Sequence, residues 1–389
     1  MPYFNYRIQA VDATTAGRSG RRGFLHTWWS LYRDDDRWAP PDYAQLLRDL
    51  DPRHTKHLSR LEASFVHVDA LRRTGVRSAR NDQQEIPLVS LLERPLAATV
   101  VLIDRRRADH TASLALLKLG NDGQAIEKLI DYLADDLPRR GIDRIIGPTG
   151  LSPCLDSGLL VDGWDEWPPF QTPSNPPYVP ELLERHMRPA QSGRLFHAAI
   201  PAELVTTTPG PANLKPFDPV RLAGDLLPLF IGAAENRIAD LPLPDATEVA
   251  FMLRQLERSA VAGYLAEMDG SPVGFVLLGA DTAARLRLAH GGRPLWGRAL
   301  LKLVTRSYGK SRVSNGRIHF CAVLPEWRGR GIGRQLWQNA LAHGRDCGWK
   351  SLSAGPIWLP LQGALPASAF LESMGASAGQ TYGLYERKL

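Results

Sequence analysis

The sequence predicts a mixed α/β protein built as two domains, with the chemistry in the second. Three observations carry that reading. Residues 317–348 run from strand to glycine-rich turn to helix without a gap, a local order that makes an anion site. The chain has 389 residues, more than one compact core usually fills. Between its halves stands Val205-Thr206-Thr207-Thr208-Pro209-Gly210-Pro211, a composition that forbids regular structure. The expected division is 1–204, a linker at 205–215, and 216–389.

Composition narrows the class. The hydrophobic fraction of 44% and charged fraction of 23% are those of a soluble globular protein. No apolar run is long enough to span a bilayer and the N-terminus lacks the apolar core of a signal peptide, which points to the cytoplasm. Cys154, Cys321 and Cys347 are scattered, without metal spacing, so reduced thiols and no metal are expected. The net charge of +6 is diffuse, and its one tight run, Arg105-Arg106-Arg107, ends a strand and reads as a solvated loop. Nucleic acid is not an expected partner.

In the first half, residues 3–11 alternate weakly as a strand, and Phe24, Leu25, Trp28, Leu31 and Tyr32 give a helical stripe that stops at Pro40-Pro41. A second helix is expected over 43–50, strands over 63–70 and 96–103, and a loop or hairpin tip over 72–85. Residues 111–119 fit strand or helix by periodicity. Strand is preferred, because Gly120-Asn121-Asp122-Gly123 breaks the chain before a helix over 124–139. A strand follows at 143–146, and residues 147–184, rich in proline with Trp164, Trp167, Phe170 and Tyr178, read as rigid without being regular.

The second half opens with helices at 222–231 and 245–258, capped by Asp245 or Thr247, then strands at 262–267 and 273–278 around the turn Asp269-Gly270. Residues 281–315 are an insertion with a helix near 300–306. A strand at 318–323 leads to Arg328-Gly329-Arg330-Gly331-Ile332-Gly333 and a helix in which Leu336, Trp337, Ala340 and Leu341 recur, ended by Gly348. A strand at 350–354, a short helix at 365–374 and a strand at 380–387 complete it. The glycines let the backbone approach a ligand and turn successive N–H groups outward, at the positive end of the helix dipole. The spacing is neither that of a Rossmann turn nor that of a P-loop.

The pattern R-x-x-G-x-G between strand and helix resembles the acyl-coenzyme A loop of the GNAT acetyltransferases. The likeness extends to most of the chain: Gly-Leu-Leu-Val-Asp-Gly at 158–163 and Asn-Pro-Pro-Tyr at 175–178 resemble a bacterial family of two GNAT-like domains with no well-assigned substrate. The resemblance implies tandem GNAT-like domains, the N-terminal one degenerate, since its turn at 120–123 carries an acid and no arginine. It implies that Cys321, Ala322 and Val323 hold pantetheine through their backbone, and that Arg328, Gly329, Arg330, Gly331, Ile332, Gly333 and Arg334 hold the pyrophosphate of acetyl-CoA or another acyl-CoA. It also implies a small-molecule amine as acceptor. The loop at 147–184 either lines the acceptor pocket or acts as a packing wedge.

Acetyl transfer needs a base for the amine and an acid for the thiolate. By alternation Arg317, His319, Cys321 and Val323 share one face. In GNAT enzymes histidines, or a glutamate, stand at the corresponding positions, so His319 is the base candidate; the alternative is a packing histidine. The family's acid, a tyrosine, falls at Leu371, beside Phe370, leaving Tyr382 and Tyr385 as weak substitutes. A thiolate can also depart without an acid. The leading expectation is an acyl-CoA-dependent N-acyltransferase. The alternatives are a non-catalytic acyl-CoA-binding scaffold and an aminoacyl-tRNA-dependent transferase, which would call for a basic stripe that this chain lacks.

Overall fold

The computed structural model describes residues 5–81, 84–202, 210–219, 223–232, 241–259, 261–306, 313–359 and 367–389. The first half runs β1 (Asn5–Asp12), α1 (Gly17–Tyr32), α2 (Tyr43–Asp49), β2 (Glu62–Asn81), β3 (Gln84–Ile103), β4 (Thr111–Leu119), α3 (Gly123–Arg139), β5 (Arg144–Thr149), β6 (Leu159–Asp162), α4 (Tyr178–Glu184) and β7 (Arg188–Ala199). The second runs β8 (Asn213–Phe217), α5 (Ala223–Gly232), α6 (Ala246–Leu256), β9 (Ala262–Met268), β10 (Ser271–Ala280), α7 (Ala283–Leu288), α8 (Leu295–Arg306), β11 (Asn315–Val323), α9 (Ile332–Asp346), β12 (Ser351–Trp358), α10 (Ala367–Ser373) and β13 (Ser377–Lys388).

The helices follow their apolar stripes. Phe24, Leu25, Trp28, Trp29 and Tyr32 of α1 are buried, as are Ile126, Leu129, Ile130, Leu133 and Leu137 of α3. Repeats of three and four residues place each set on one face. Of the two readings of 72–85 the hairpin stands and the loop is corrected: residues 72–81 and 84–85 belong to the paired arms of β2 and β3, and residues 82–83 lie outside the described residues. Most of the linker, 203–209, also lies outside them. The arginine run lies, as expected, in the turn after β3, with Arg105 and Arg106 exposed, and its side chains are ion-paired. Arg105 pairs with Glu62 and Arg107 with Asp109, while Arg106 joins Arg60 on Asp245, the N-cap of α6.

The strands form one sheet in the order β1-β2-β3-β4-β5-β13-β7-β12-β11-β10-β9-β8, with β6 pairing β13. The units β2-β3-β4-α3-β5 and β9-β10-β11-α9-β12 are counterparts, each with one parallel pair, β4 with β5 and β11 with β12. Between them the order crosses over. The last strand of the chain, β13, lies against β5, and β7, from before the linker, lies against β12. A joint core forms there from Ile146, Leu160, Leu195, Trp358, Tyr382 and Leu384. β7 was not anticipated, nor were β6 and α4 within the proline-rich stretch.

The feature that positions the site is the parting of β11 and β12. Their ladder runs from Asn315↔Ser351 to Ile318↔Ala354 and no farther. Gly355 follows with φ +109, where an added Cβ would lie 2.8 Å from the Arg194 carbonyl oxygen, and Pro356 has no N–H to continue a ladder. Residues 320–323 keep their pairing to β10, with His319 the extra residue of a bulge between Leu277↔Phe320 and Leu278↔Ile318, and 319–323 present an unpaired edge on the other side. The bulge overturns the expectation that Arg317, His319, Cys321 and Val323 share one face: Val323 packs with Ile318 under α9, and Phe320 and Ala322 pack in the opposite core.

Leu384 is fully buried in the joint core. Leu384→Ala is expected to cost about 2–5 kcal/mol, read as a lowered denaturant midpoint with unchanged m-value.

Candidate functional site

The open edge of β11 leads straight to the N-terminus of α9. Gly331 is its N-cap at φ +84, with no side-chain cap, and Gly329 has φ +74. Side chains rarely adopt these backbone values. The first bond of the helix is Gln335 N–H to the Gly331 oxygen, 3.0 Å, so the N–H groups of Gly331, Ile332, Gly333 and Arg334 have no partner inside it. Arg328, Arg330 and Arg334 are exposed on the rim. Arg328 Nε donates to the Val323 oxygen at 3.1 Å, tying loop to strand, and the Arg330 guanidinium lies 4.6 Å over the Trp327 ring. The Gln335 amide holds both backbone groups of Ala212 at 3.0 and 2.8 Å.

The counterpart in the first half is closed. Asp122 caps α3, accepting from Ala125 N–H at 2.9 Å, and also accepts from the Tyr6 hydroxyl at 3.3 Å. A carboxylate already occupies the place an anion would take.

The other side of the sheet carries the base candidate. Ile318 packs into the core under α9 with Leu336 and Ala340, so Arg317 and His319 face away from α9. His319 is half-buried, its Nε2 3.1 Å from Ser259 Oγ and its ring edge-on to Phe170 at 6.1 Å. Ser259 donates its own proton to the Leu256 oxygen at 2.8 Å, so Nε2 carries the hydrogen and Nδ1 is the basic nitrogen. Burial, and then the Arg317 charge, push this imidazole well below its usual range. Arg317 is 3% exposed and donates through Nη2 to the Gly355 oxygen, across the point where the strands part.

Phe170 also lines a cleft of about 100 Å³ between the halves, with Asp49, Asp156, Gln171, Phe251 and Gln255 among its walls. Burial raises Asp49 and Asp156 to about 6. Gln255 donates to Asp49 at 2.9 Å and accepts from Gln45 at 3.0 Å. Among the described residues six non-glycine positions have positive φ, and three of them, Leu116, Asp156 and Gln171, line this cleft. Backbone strain of that kind, of order 1–3 kcal/mol each, gathers at functional sites.

The acid candidates are placed differently. Tyr382 is fully buried in the joint core and donates to Gln380 Oε1 at 3.1 Å. Tyr385 belongs to the core of the first half and donates to Glu184 at 2.9 Å; the structure does not bring it to β11. Burial, first, raises both phenols. Leu371 of α10 is buried, and its neighbour Phe370 lies 3.6 Å from where a Cβ on Gly333 would be. Cys321 is exposed on the open strand. Sequence reasoning missed Ser259, Asp156 and the cleft, because only the fold brings residues from 41–49, 150–171 and 251–286 together.

Comparison with known proteins fits this geometry. Residues 235–357 match the family model described as acetyltransferase (GNAT) family, so that stretch carries a GNAT domain. Among solved structures the chain is similar to a tandem GNAT protein from the clavulanic acid biosynthesis pathway, with TM-score 0.54 and 12% identity over 98% of both chains. It is similar to a conserved protein of unknown function, a probable N-acyltransferase, from Enterococcus faecalis V583, with TM-score 0.52 and 8% identity over 99% of this chain and 73% of that one. A GCN5-related N-acetyltransferase from Anabaena variabilis gives 0.50 and 12% over 98% and 73%. At these identities the likeness shows the fold, a tandem GNAT fold over nearly the whole chain. No curated protein sequence matches. Among the described residues no helix is long and apolar enough to cross a membrane.

The depressed imidazole has a sign that can be checked. In the unfolded chain His319 takes up a proton near pH 6.5, whereas the folded protein resists it until well below that. Stability is therefore lost as pH falls below about 6.5. Urea midpoints at pH 7.5 and 5.5 should differ more for wild type than for His319→Asn.

Proposed function

We propose that the chain is an acyl-CoA-dependent N-acyltransferase, acetylating a small-molecule amine by direct attack in a ternary complex. One observation carries the reading: the unpaired edge of β11 beyond Ile318 runs into the uncapped N-terminus of α9. An extended amide-bearing chain ending in a pyrophosphate fits that run. The edge at Cys321, Ala322 and Val323 offers backbone hydrogen bonds to pantetheine, and the N–H groups of 331–334 with Arg328, Arg330 and Arg334 hold the two phosphates. In this division residues 1–204 shape the acceptor side, 205–215 link, and 216–389 hold the cofactor.

In the reaction the neutral amine attacks the thioester carbonyl carbon. The C–N bond forms, the C–S bond breaks, and coenzyme A leaves as thiolate. The proton released by the amine passes to Nδ1 of His319, and one proton returns to the thiolate to give the thiol. With its affinity for protons held low, His319 is neutral throughout the physiological range and works as a relay rather than a strong base. Tyr382 is the nearer of the two phenols to this chemistry, since Arg317 is among the charges acting on it, but its hydroxyl is spent on Gln380. Departure without a dedicated acid suits a thiolate.

Calorimetric titration with acetyl-CoA is expected to show micromolar binding to wild type and none to a variant with Gly331→Val and Gly333→Val. Absence of binding by wild type to acetyl-CoA and to longer acyl-CoAs would sink the reading. His319→Ala should bind acetyl-CoA as wild type does while kcat/KM falls about 10²-fold. A variant with unchanged turnover would instead leave His319 a packing residue.

A further inference from the structure

Arg317 is buried in a way the acyl-transfer reading does not use. Its Nη2 donates to the Gly355 oxygen, while Nε and Nη1 are buried without a hydrogen-bond partner. Among the described residues no carboxylate stands within ion-pair distance of it. The charges that act on it most are those of Asp281, then Tyr382 and Asp156. Asp281 Oδ1 already accepts from the N–H groups of Phe170 at 2.9 Å and Ala283 at 3.0 Å. A guanidinium left with two unmet buried nitrogens is among the least tolerated groups in a protein interior.

The surroundings say from which side a partner would come. Arg317 lies on the face of β11 turned away from α9, two positions before His319. Both carboxylates that act on it belong to the acceptor side: Asp156 lines the cleft, and Asp281 holds the backbone of Phe170, which lines it as well. The Nη1–Nη2 end of a guanidinium matches the two oxygens of a carboxylate in one plane; Nη1 is unmet, and Nη2 keeps a second hydrogen beyond the one given to Gly355. Successive residues on one strand face are about 6–7 Å apart. A small molecule with an amine at His319 and an acid at Arg317 spans that distance once the two side chains reach inward.

We propose that the acceptor is an amino acid, its carboxylate held by the unmet Nη1 and the second hydrogen of Nη2 of Arg317 and its amine presented to Nδ1 of His319. This rests on the acyltransferase reading for the identity of the reaction, and on Arg317 for the class of acceptor. A carboxylate could also arrive on the acyl group of a dicarboxylic acyl-CoA. The orientation of Arg317 away from α9 assigns it to the acceptor.

The test compares matched pairs on the full chain: glycine, β-alanine and 4-aminobutyrate against methylamine, ethylamine and propylamine, with acetyl-CoA and with succinyl-CoA as donors. With acetyl-CoA at least one amino acid should exceed its carboxylate-free partner by 10²-fold or more in kcat/KM. Arg317→Met should erase that preference, and Arg317→Lys should restore only part of it. Thermal melting with each probe gives a readout that needs no turnover and, for wild type, no variant. A melting shift from the amino acids that the plain amines lack supports the proposal. Equal response to both classes overturns it, and so does a preference that survives in Arg317→Met. A preference for succinyl-CoA that depends on Arg317 also overturns it, moving the carboxylate to the donor. Failure of acetyl-CoA binding in calorimetry would strike the acyltransferase reading separately, leaving the melting result to stand or fall alone.

Discussion

At Ala354 the parallel ladder between β11 and β12 ends, because the next residue of β12 holds φ +109 and the one after it has no N–H to give. The rest of the site depends on that interruption. It frees an edge of five residues on β11 while the bonds to β10 keep the strand extended. It leaves the Gly355 oxygen available to Arg317, which braces the strands where they part. It also sets His319 at the first position beyond the last paired residue, so the base candidate stands where an acyl group lying along the open edge would meet an acceptor. Helix α9 supplies the complementary half, since its start is left without a cap.

The first half shows what the same frame does when the interruption is filled. Gly147 and Pro148 follow Ile146 as Gly355 and Pro356 follow Ala354. There, however, β4 regains β5 beyond a register shift, at Ala115↔Thr149. Leu114, fully buried, packs so closely that a Cβ on Gly147 would come within 2.9 Å of its own. Leu114 is the counterpart of His319 by register, and Asp122 closes the helix start beyond it. On the acyltransferase reading, two side chains, one apolar and one acidic, fill the place of an acyl slot there. The frame is kept because it carries half of the joint: β13 needs β5 on one side and β7 on the other.

Much of this was legible in the sequence, and what was not has physical reasons. The strand, turn and helix of 317–348 announce themselves because glycine, arginine and a helical stripe stand in one continuous segment. The Asp122 turn was readable as hostile to anions for the same reason. β7 was missed since RPAQSGRLFHAA buries Gln191 and Gly193 and breaks its alternation at Leu195 and Phe196; its reason to be a strand lies in β12 and β13, distant in sequence. The arms of the long hairpin were hidden because residues 72–85 are polar and lack a strand's alternation, while their pairing is with each other. Tyr385 looked available on a last strand, but that strand ends in the other half of the molecule, where the hydroxyl meets Glu184. Arg317 could be named from the sequence as unable to serve as a base. That it would be buried with two nitrogens unmet could not.

The division of labour between the halves follows from where strain and charge have been placed. The candidate cofactor elements, β11 and α9, come from the second half alone, and they are regular apart from their glycines and the bulge at His319. The cleft that faces them draws on both halves. Its unusual backbone lies in the first half: Leu116, Asp156 and Gln171 all hold left-handed conformations that only surrounding packing can enforce. Trp28 donates to the Leu116 oxygen at 2.6 Å, and Lys118 lies over the Trp28 and Tyr32 rings, so the packing in question is the aromatic core of the first half. Asp156, acted on by Lys118 from one half and Arg317 from the other, is the point at which the two meet. A degenerate domain that only buttressed its neighbour would have no use for strained residues turned toward a cleft. On the acyltransferase reading, the half that lost its own cofactor site is the half that chooses the acceptor.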